Sequence, residues 1–222
     1  MKIILLSVIL IFVPLTSCNS VFMRLYGIKK IRYVTEKDII GQAQKMGIDT
    51  GRIFVLKNSQ PDSGNSKNIM ITNNNNNNNK TCVYDPTQFR HNQPLQALYF
   101  NSKGALISFH NNCYTGGFPN LKWNRNNVFN FFPPKSQIPV DTVFNIKNVL
   151  RNVYYINGGQ SKLTNIDSSD FYIVIFWNIF MYRQSRRLIM VVNDNLKLAD
   201  KKSKISIYYI NDDNYFYSVD NK

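Results

Sequence analysis

The chain has 222 residues, with 27 Lys and Arg against 13 Asp and Glu, a formal charge of +14 and 44% hydrophobic residues. A charge this basic usually points to nucleic acid, yet the cations are spread along the chain and the N-terminus reads as an export signal, so nucleic acid is excluded as a partner. The apolar content and length allow one large or two small domains with a proper core.

The chain opens with Lys2 as a short positive n-region, and residues 3–15 form an apolar run too short to span a bilayer but right for a signal-peptide core. Its end, Leu15-Thr16-Ser17-Cys18, resembles the lipobox of bacterial lipoproteins: an aliphatic residue three before the cysteine, small residues between, then the Cys. The resemblance implies cleavage after residue 17, lipid attachment at Cys18 and a cell-envelope location facing an extracytoplasmic compartment. Plain secretion, with cleavage beside an unmodified Cys18, is the alternative. Loss of Lys2 takes the charge to about +13, and such a surface on a membrane-tethered chain implies attraction to anionic headgroups or envelope polymers. Residues 18–34 are expected as lipidated N-terminus and tether, and 35–222 as a single α/β domain.

With Cys18 lipidated, Cys82 and Cys113 are the remaining pair in an oxidising compartment, and a bridge between them would close a loop of 32 residues. Loop-closure entropy assigns such a bridge about 3 to 4 kcal/mol. A metal site using His110 and Cys113 lacks two further ligands at suitable spacing, so no metal or cofactor is expected. His91 and His110 are the only histidines, and neither lies beside a nucleophile motif such as Gly-x-Ser-x-Gly.

Thr35-Glu36-Lys37-Asp38 reads as a helix start, with Ile39, Ile40, Ala43 and Met46 on one face and Gly47 as the C-terminal cap. Residues 53–57 read as a strand. Residues 58–80, which end in seven consecutive asparagines, read as an exposed loop. Residues 96–100 and 105–109, joined by Asn101-Ser102-Lys103-Gly104, predict a hairpin with Gly104 where positive φ is tolerated. The loop after it interleaves aromatics with Gly, Pro and Asn, which reads first as a well-packed loop; as a binding surface, the second reading, its contact residues are Tyr114, Phe118 and Trp123. A helix is expected over 141–150.

Residues 171–177, FYIVIFW, form an apolar run that reads as a strand buried on both faces. Met181, Ser185, Leu188, Val192 and Leu196 then fall on one face of a helix, while Arg183, Arg186 and Arg187 leave that face in its first turns. A strand at 205–210 closes a βαβ unit over 165–213.

This block resembles the opening of the thioredoxin-like fold, in particular periplasmic thiol:disulfide oxidoreductases, where a buried strand runs into a Phe-Trp pair and then Cys-x-x-Cys at a helix start. Phe176 and Trp177 match the pair, but the two cysteine positions hold Met181 and Gln184. Neither forms a thiolate, so the resemblance implies the scaffold without the activity. Pro94 followed by the hairpin and a helix resembles the family's cis-proline, strand, turn, strand and helix. These parts occur in reverse order. The expected fold is therefore α/β, a thioredoxin-like mixed sheet, permuted or incomplete, with long irregular loops: either one sheet with the hairpin antiparallel beside the C-terminal unit, or an irregular N-terminal domain carrying a truncated βαβ unit. The expected function is binding; the three arginines read either as a solvated basic face or as a surface for an acidic envelope partner. The alternative is a thiol-disulfide oxidoreductase or other envelope enzyme using Cys82 and Cys113.

Overall fold

The computed structural model describes Met23 and residues 26–57, 93–118, 120–140, 144–156 and 161–221. The signal segment, Cys18, the Asn-rich loop and Cys82 lie outside the described residues. Among these residues the fold is mixed α/β, with four α-helices and a six-stranded mixed sheet.

The first helix, α1 (Glu36–Lys45), begins where expected. Thr35 accepts from the Asp38 amide while Asp38 reaches back to the Thr35 amide, a capping box that satisfies two otherwise orphaned donors. Gly47, at φ 77°, ends it in the conformation that glycine adopts without a Cβ clash. Strand β1 (Ile53–Leu56) follows. The hairpin is β2 (Gln96–Asn101) and β3 (Leu106–Asn111), each running slightly past its expected end, with Gly104 at φ 78° in the turn. There a Cβ would lie 2.8 Å from Ile146, so the turn also needs glycine for space.

The helix expected over 141–150 is a single turn, α2 (Ile146–Val149), capped by the Asn145 side chain and continued by a tighter turn at Leu150–Asn152; residues 141–143 lie outside the described residues. A three-residue strand β4 (Val153–Tyr155) follows. Strand β5 (Phe171–Trp177), helix α3 (Tyr182–Leu196) and strand β6 (Ile205–Asn211) form the expected βαβ unit, and a last helix α4 (Asp213–Asp220) was not anticipated.

The sheet order is β3-β2-β5-β6-β1-β4. Strands β5, β6 and β1 run parallel at its centre, and β2 and β4 flank them antiparallel. The hairpin thus lies antiparallel beside β5, as the one-sheet expectation had it. Strand β1 extends the same sheet beyond β6, so the N-terminal part of the chain shares the sheet of the C-terminal unit.

Strand β5 explains why this sheet holds. Its odd residues Ile173, Ile175 and Trp177 face one core, with α1 and α3, whereas Tyr172, Val174 and Phe176 face the other, under α2 and Leu163. A strand covered on both faces has to be apolar at successive positions rather than alternating. On α3, Leu188, Ile189 and Val192 are fully buried against the sheet. Leu188→Ala should lower unfolding free energy by about 3 kcal/mol, whereas Met190→Ala, on the exposed side of the same helix, should change it by less than about 0.5 kcal/mol in urea denaturation.

Candidate functional site

In open α/β sheets, ligands bind just beyond the carboxyl ends of the parallel strands, because loops and helix starts converge there. Here β5 and β6 end side by side, Trp177 opposite Asn211. The residues just beyond them, Asn178, Asp212 and Asp213, are buried together with Asn211.

Asn178 is the hub. Its side-chain amide donates to the Pro94 carbonyl at 2.8 Å and to Asp212 Oδ1 at 3.0 Å, and its Oδ1 accepts from the Met181 amide at 2.9 Å. Its backbone exchanges two bonds with the Ser185 hydroxyl in the first turns of α3. Asp213 accepts from the amides of Ile179 (2.7 Å) and Phe180 (3.3 Å) and from Asn211 Nδ2 (2.7 Å). The amides of Ile179, Phe180 and Met181, just ahead of α3, are therefore bonded within the fold to Asp213 and Asn178.

The N-terminal segment crosses this end of the sheet as a strap. The Lys29 amide donates to the Phe180 carbonyl at 2.7 Å, Gln184 Nε2 donates to the Tyr26 carbonyl at 2.9 Å, and Val34 and Asn214 exchange two bonds of 2.9 Å. Ile28 and Val34 are buried beneath it. The stretch expected as tether is thus part of the fold from Tyr26 onward, and it covers the place where such sheets usually take a ligand.

Electrostatics follow from this burial. Desolvation and the neighbouring Asp213 push the Asp212 carboxyl well above the usual carboxylate range, against a smaller lowering by Asn178. Desolvation also raises Asp213, offset by the Asn211 amide, the two backbone donors and Arg32. Arg183, Arg186 and Arg187 stand exposed in the first turns of α3, where the macrodipole is positive.

The positions picked out by the resemblance to the redox motif are closed. Met181 and Gln184 are buried, as is Trp177. The aromatic loop meets the basic helix start where Arg187 donates to Asn120 Oδ1 at 3.0 Å, and it meets the strap where Phe118 lies against Tyr26 with ring centroids 6.1 Å apart. Tyr114 and Phe118 are exposed, whereas Trp123 is buried in the core and offers no contact surface. Cys113 is exposed, its thiol 2.7 Å from Gln93 Oε1; its expected partner Cys82 lies outside the described residues.

A buried Ser-His pair on β3 was not read from the sequence. Ser108 Oγ lies 3.0 Å from His110 Nε2, and Phe129 stacks on the imidazole with centroids 4.3 Å apart. Burial lowers the His110 pKa to about 3; Gln137 approaches the ring and opposes this in part, without closing a hydrogen bond on Nδ1. Both side chains are fully buried, so the pair is a neutral core element out of reach of a substrate.

The chain matches no family model, no curated protein and no solved structure.

The Asp212 environment predicts a pH dependence. A carboxyl whose folded pKa lies above its unfolded value holds its proton more tightly when folded, so its favourable contribution is complete below the unfolded pKa and is lost as pH rises through the folded one. Asp212→Asn removes that titration. The variant should gain stability relative to the parent as pH rises above the ordinary carboxylate range, in urea unfolding followed at successive pH values; a parallel pair of curves would contradict this.

Proposed function

We propose that this chain is an exported, lipid-anchored cell-envelope protein whose thioredoxin-like domain acts by binding and performs no redox chemistry. The observation that carries the reading is the state of positions 181 and 184. Redox enzymes of that type need an exposed, low-pKa sulfur at the helix start. Here Met181 is buried, and Gln184 is tied to the Tyr26 carbonyl under the strap. Nothing at this helix start can attack a disulfide.

The thioredoxin-like assignment draws support from the sheet. The order β6-β5-β2-β3, with a parallel βαβ pair and a hairpin antiparallel to its first strand, is the arrangement that a permuted version would adopt. Pro94 precedes β2, and its carbonyl meets Asn178 just before the motif. The bond before Pro94 is trans, a departure from the family pattern; Phe132–Pro133 is the cis bond among the described residues. As for the enzymatic alternative, partial burial raises the Cys113 pKa, which works against thiolate formation.

Two experiments test the reading. Mass spectrometry of the mature N-terminus should find a diacylglycerol-modified Cys18, and Cys18→Ala should block maturation; unmodified Cys18 on secreted protein refutes the anchor. The double variant Met181→Cys, Gln184→Cys should close a reducible disulfide linking those two positions, since they stand one helical turn apart. A well-folded variant that stays reduced under oxidant would refute the thioredoxin-like placement.

A further inference from the structure

The basic charge of this chain is unevenly placed. No acidic residue precedes Glu36, none lies between Asp85 and Asp141, and none lies between Asp170 and Asp194. These three acid-free stretches meet in space. The first supplies the strap, whose Tyr26 ring lies on Phe118 from the second, and whose Tyr26 carbonyl is held by Gln184 from the third. The second supplies the loop along α3: Asn120 accepts from Arg187 near the start of the helix, and near its end Asn195 donates to the Phe129 and Phe131 carbonyls at 2.7 and 2.6 Å.

On the exposed side of α3, Arg183, Arg186, Arg187 and Met190 follow at i, i+3, i+4 and i+7, and so share one face. Phe118, 62% exposed, and Lys122 stand beside it on the loop. Met190 is 52% exposed. Asp194, one turn beyond Met190, is the acid on this side of the helix and is paired with Lys197, so the N-terminal half of the face presents cations with Phe118 and Met190 exposed beside them. They match a surface that presents phosphates above hydrocarbon, where arginines pair with phosphate oxygens while Phe and Met enter the acyl boundary.

The exit of the chain agrees. Cys18 lies eight residues before Tyr26, so even fully extended the link spans at most about 28 Å. Tyr26 sits at the edge of this face. An anchor at Cys18 therefore brings this side of the fold to the bilayer.

We infer that the exposed side of α3, with the adjoining loop at Phe118 and Lys122, is a docking face for anionic phospholipid bilayers. This deepens the reading of an exported, anchored binding protein and rests on it for the tether, while the face itself is testable without acyl groups. The mature polypeptide, residues 18–222 without lipid, is sedimented with vesicles of phosphatidylcholine and with vesicles of an equal mixture of phosphatidylcholine and phosphatidylglycerol. It should partition onto the mixed vesicles and not the neutral ones, and salt should weaken the binding.

Arg186→Gln with Arg187→Gln should reduce that partitioning about tenfold or more, since each cation near an anionic surface contributes on the order of 1 kcal/mol. Lys147→Gln with Arg151→Gln, which removes the same charge on the α2 side of the sheet, should reduce it much less. Phe118→Ser should lower binding that persists at high salt. Circular dichroism confirms that each variant is folded. Equal losses from the two double variants would assign the effect to net charge and overturn the face. Binding to soluble polyphosphate without binding to the mixed vesicles would assign it to a polyanion and overturn the lipid. Acylation at Cys18 is read separately by mass spectrometry, so an acylated chain that fails here loses the docking face alone, and an unacylated chain that binds loses the anchor alone.

Discussion

The side chain of Asn178 is the constraint on which the structure depends. It sits fully buried where β5 gives way to α3, and its three side-chain bonds reach the segment before β2, the residue after β6 and the first turn before α3. A buried amide without partners is expensive, of the order of 1 to 3 kcal/mol for each group left unmet. The position of Pro94, the exit of β6 and the entry angle of α3 are therefore set together. Asp213 adds the second half by taking the amides of Ile179 and Phe180. Because these acceptors lie inside the fold, the carboxyl end of the parallel strands is closed from within, and the strap closes it from without.

The elements legible in the sequence are those whose signal is local. The run 171–177, the periodic face of α3, the Thr35–Asp38 capping box and the Gly104 turn each need only neighbouring residues to declare themselves, and each appears within a residue or two of its expected bounds. Helix α4 had no such signal. Its sequence, DNYFYSVD, contains no strong helix former. It forms because Asn214 is fixed to Val34, across 180 residues, and because Phe216 packs edge-on against Phe180 at 5.9 Å. Strand β4 is three residues long, too short for a period to show, and exists by pairing with β1.

The same distinction governs the site. Met181, Gln184 and the three arginines were readable as a degenerate motif and a charged helix start. That Asp212 and Asp213 lie beneath them was not, because Asn211-Asp212-Asp213-Asn214 reads as polar turn residues, and the bonds to Asn178, Ile179 and Phe180 cross 33 or 34 residues. The strap was missed for a related reason. Residues 26–34 mix basic and apolar side chains without a helical or strand period that decides their fate, and only the contact with Phe180 and Asn214 makes Ile28 and Val34 core residues. Aromatic residues among Gly, Pro and Asn suit either internal packing or a contact surface, and the two uses divide the loop: Trp123 enters the core beside α3, whereas Tyr114 and Phe118 stay exposed.

Charge and core are separated in this protein to an unusual degree. One ion pair, Lys197 with Asp194, joins described residues, and both partners are mostly exposed, so it contributes at most about 1 kcal/mol. The remaining cations thus shape the field around the molecule more than they hold it together. Of the acids, Asp212 and Asp213 are buried and cannot balance that field at the surface, Asp212 least of all, since burial and its neighbour favour its protonated form. A closed sheet end supports the fold with its acids inside, and Arg186 and Arg187 stand exposed on the outer side of α3. The same residues that remove a ligand crevice from the end of the sheet therefore leave the outer side of α3 as the place where this chain can act on something else.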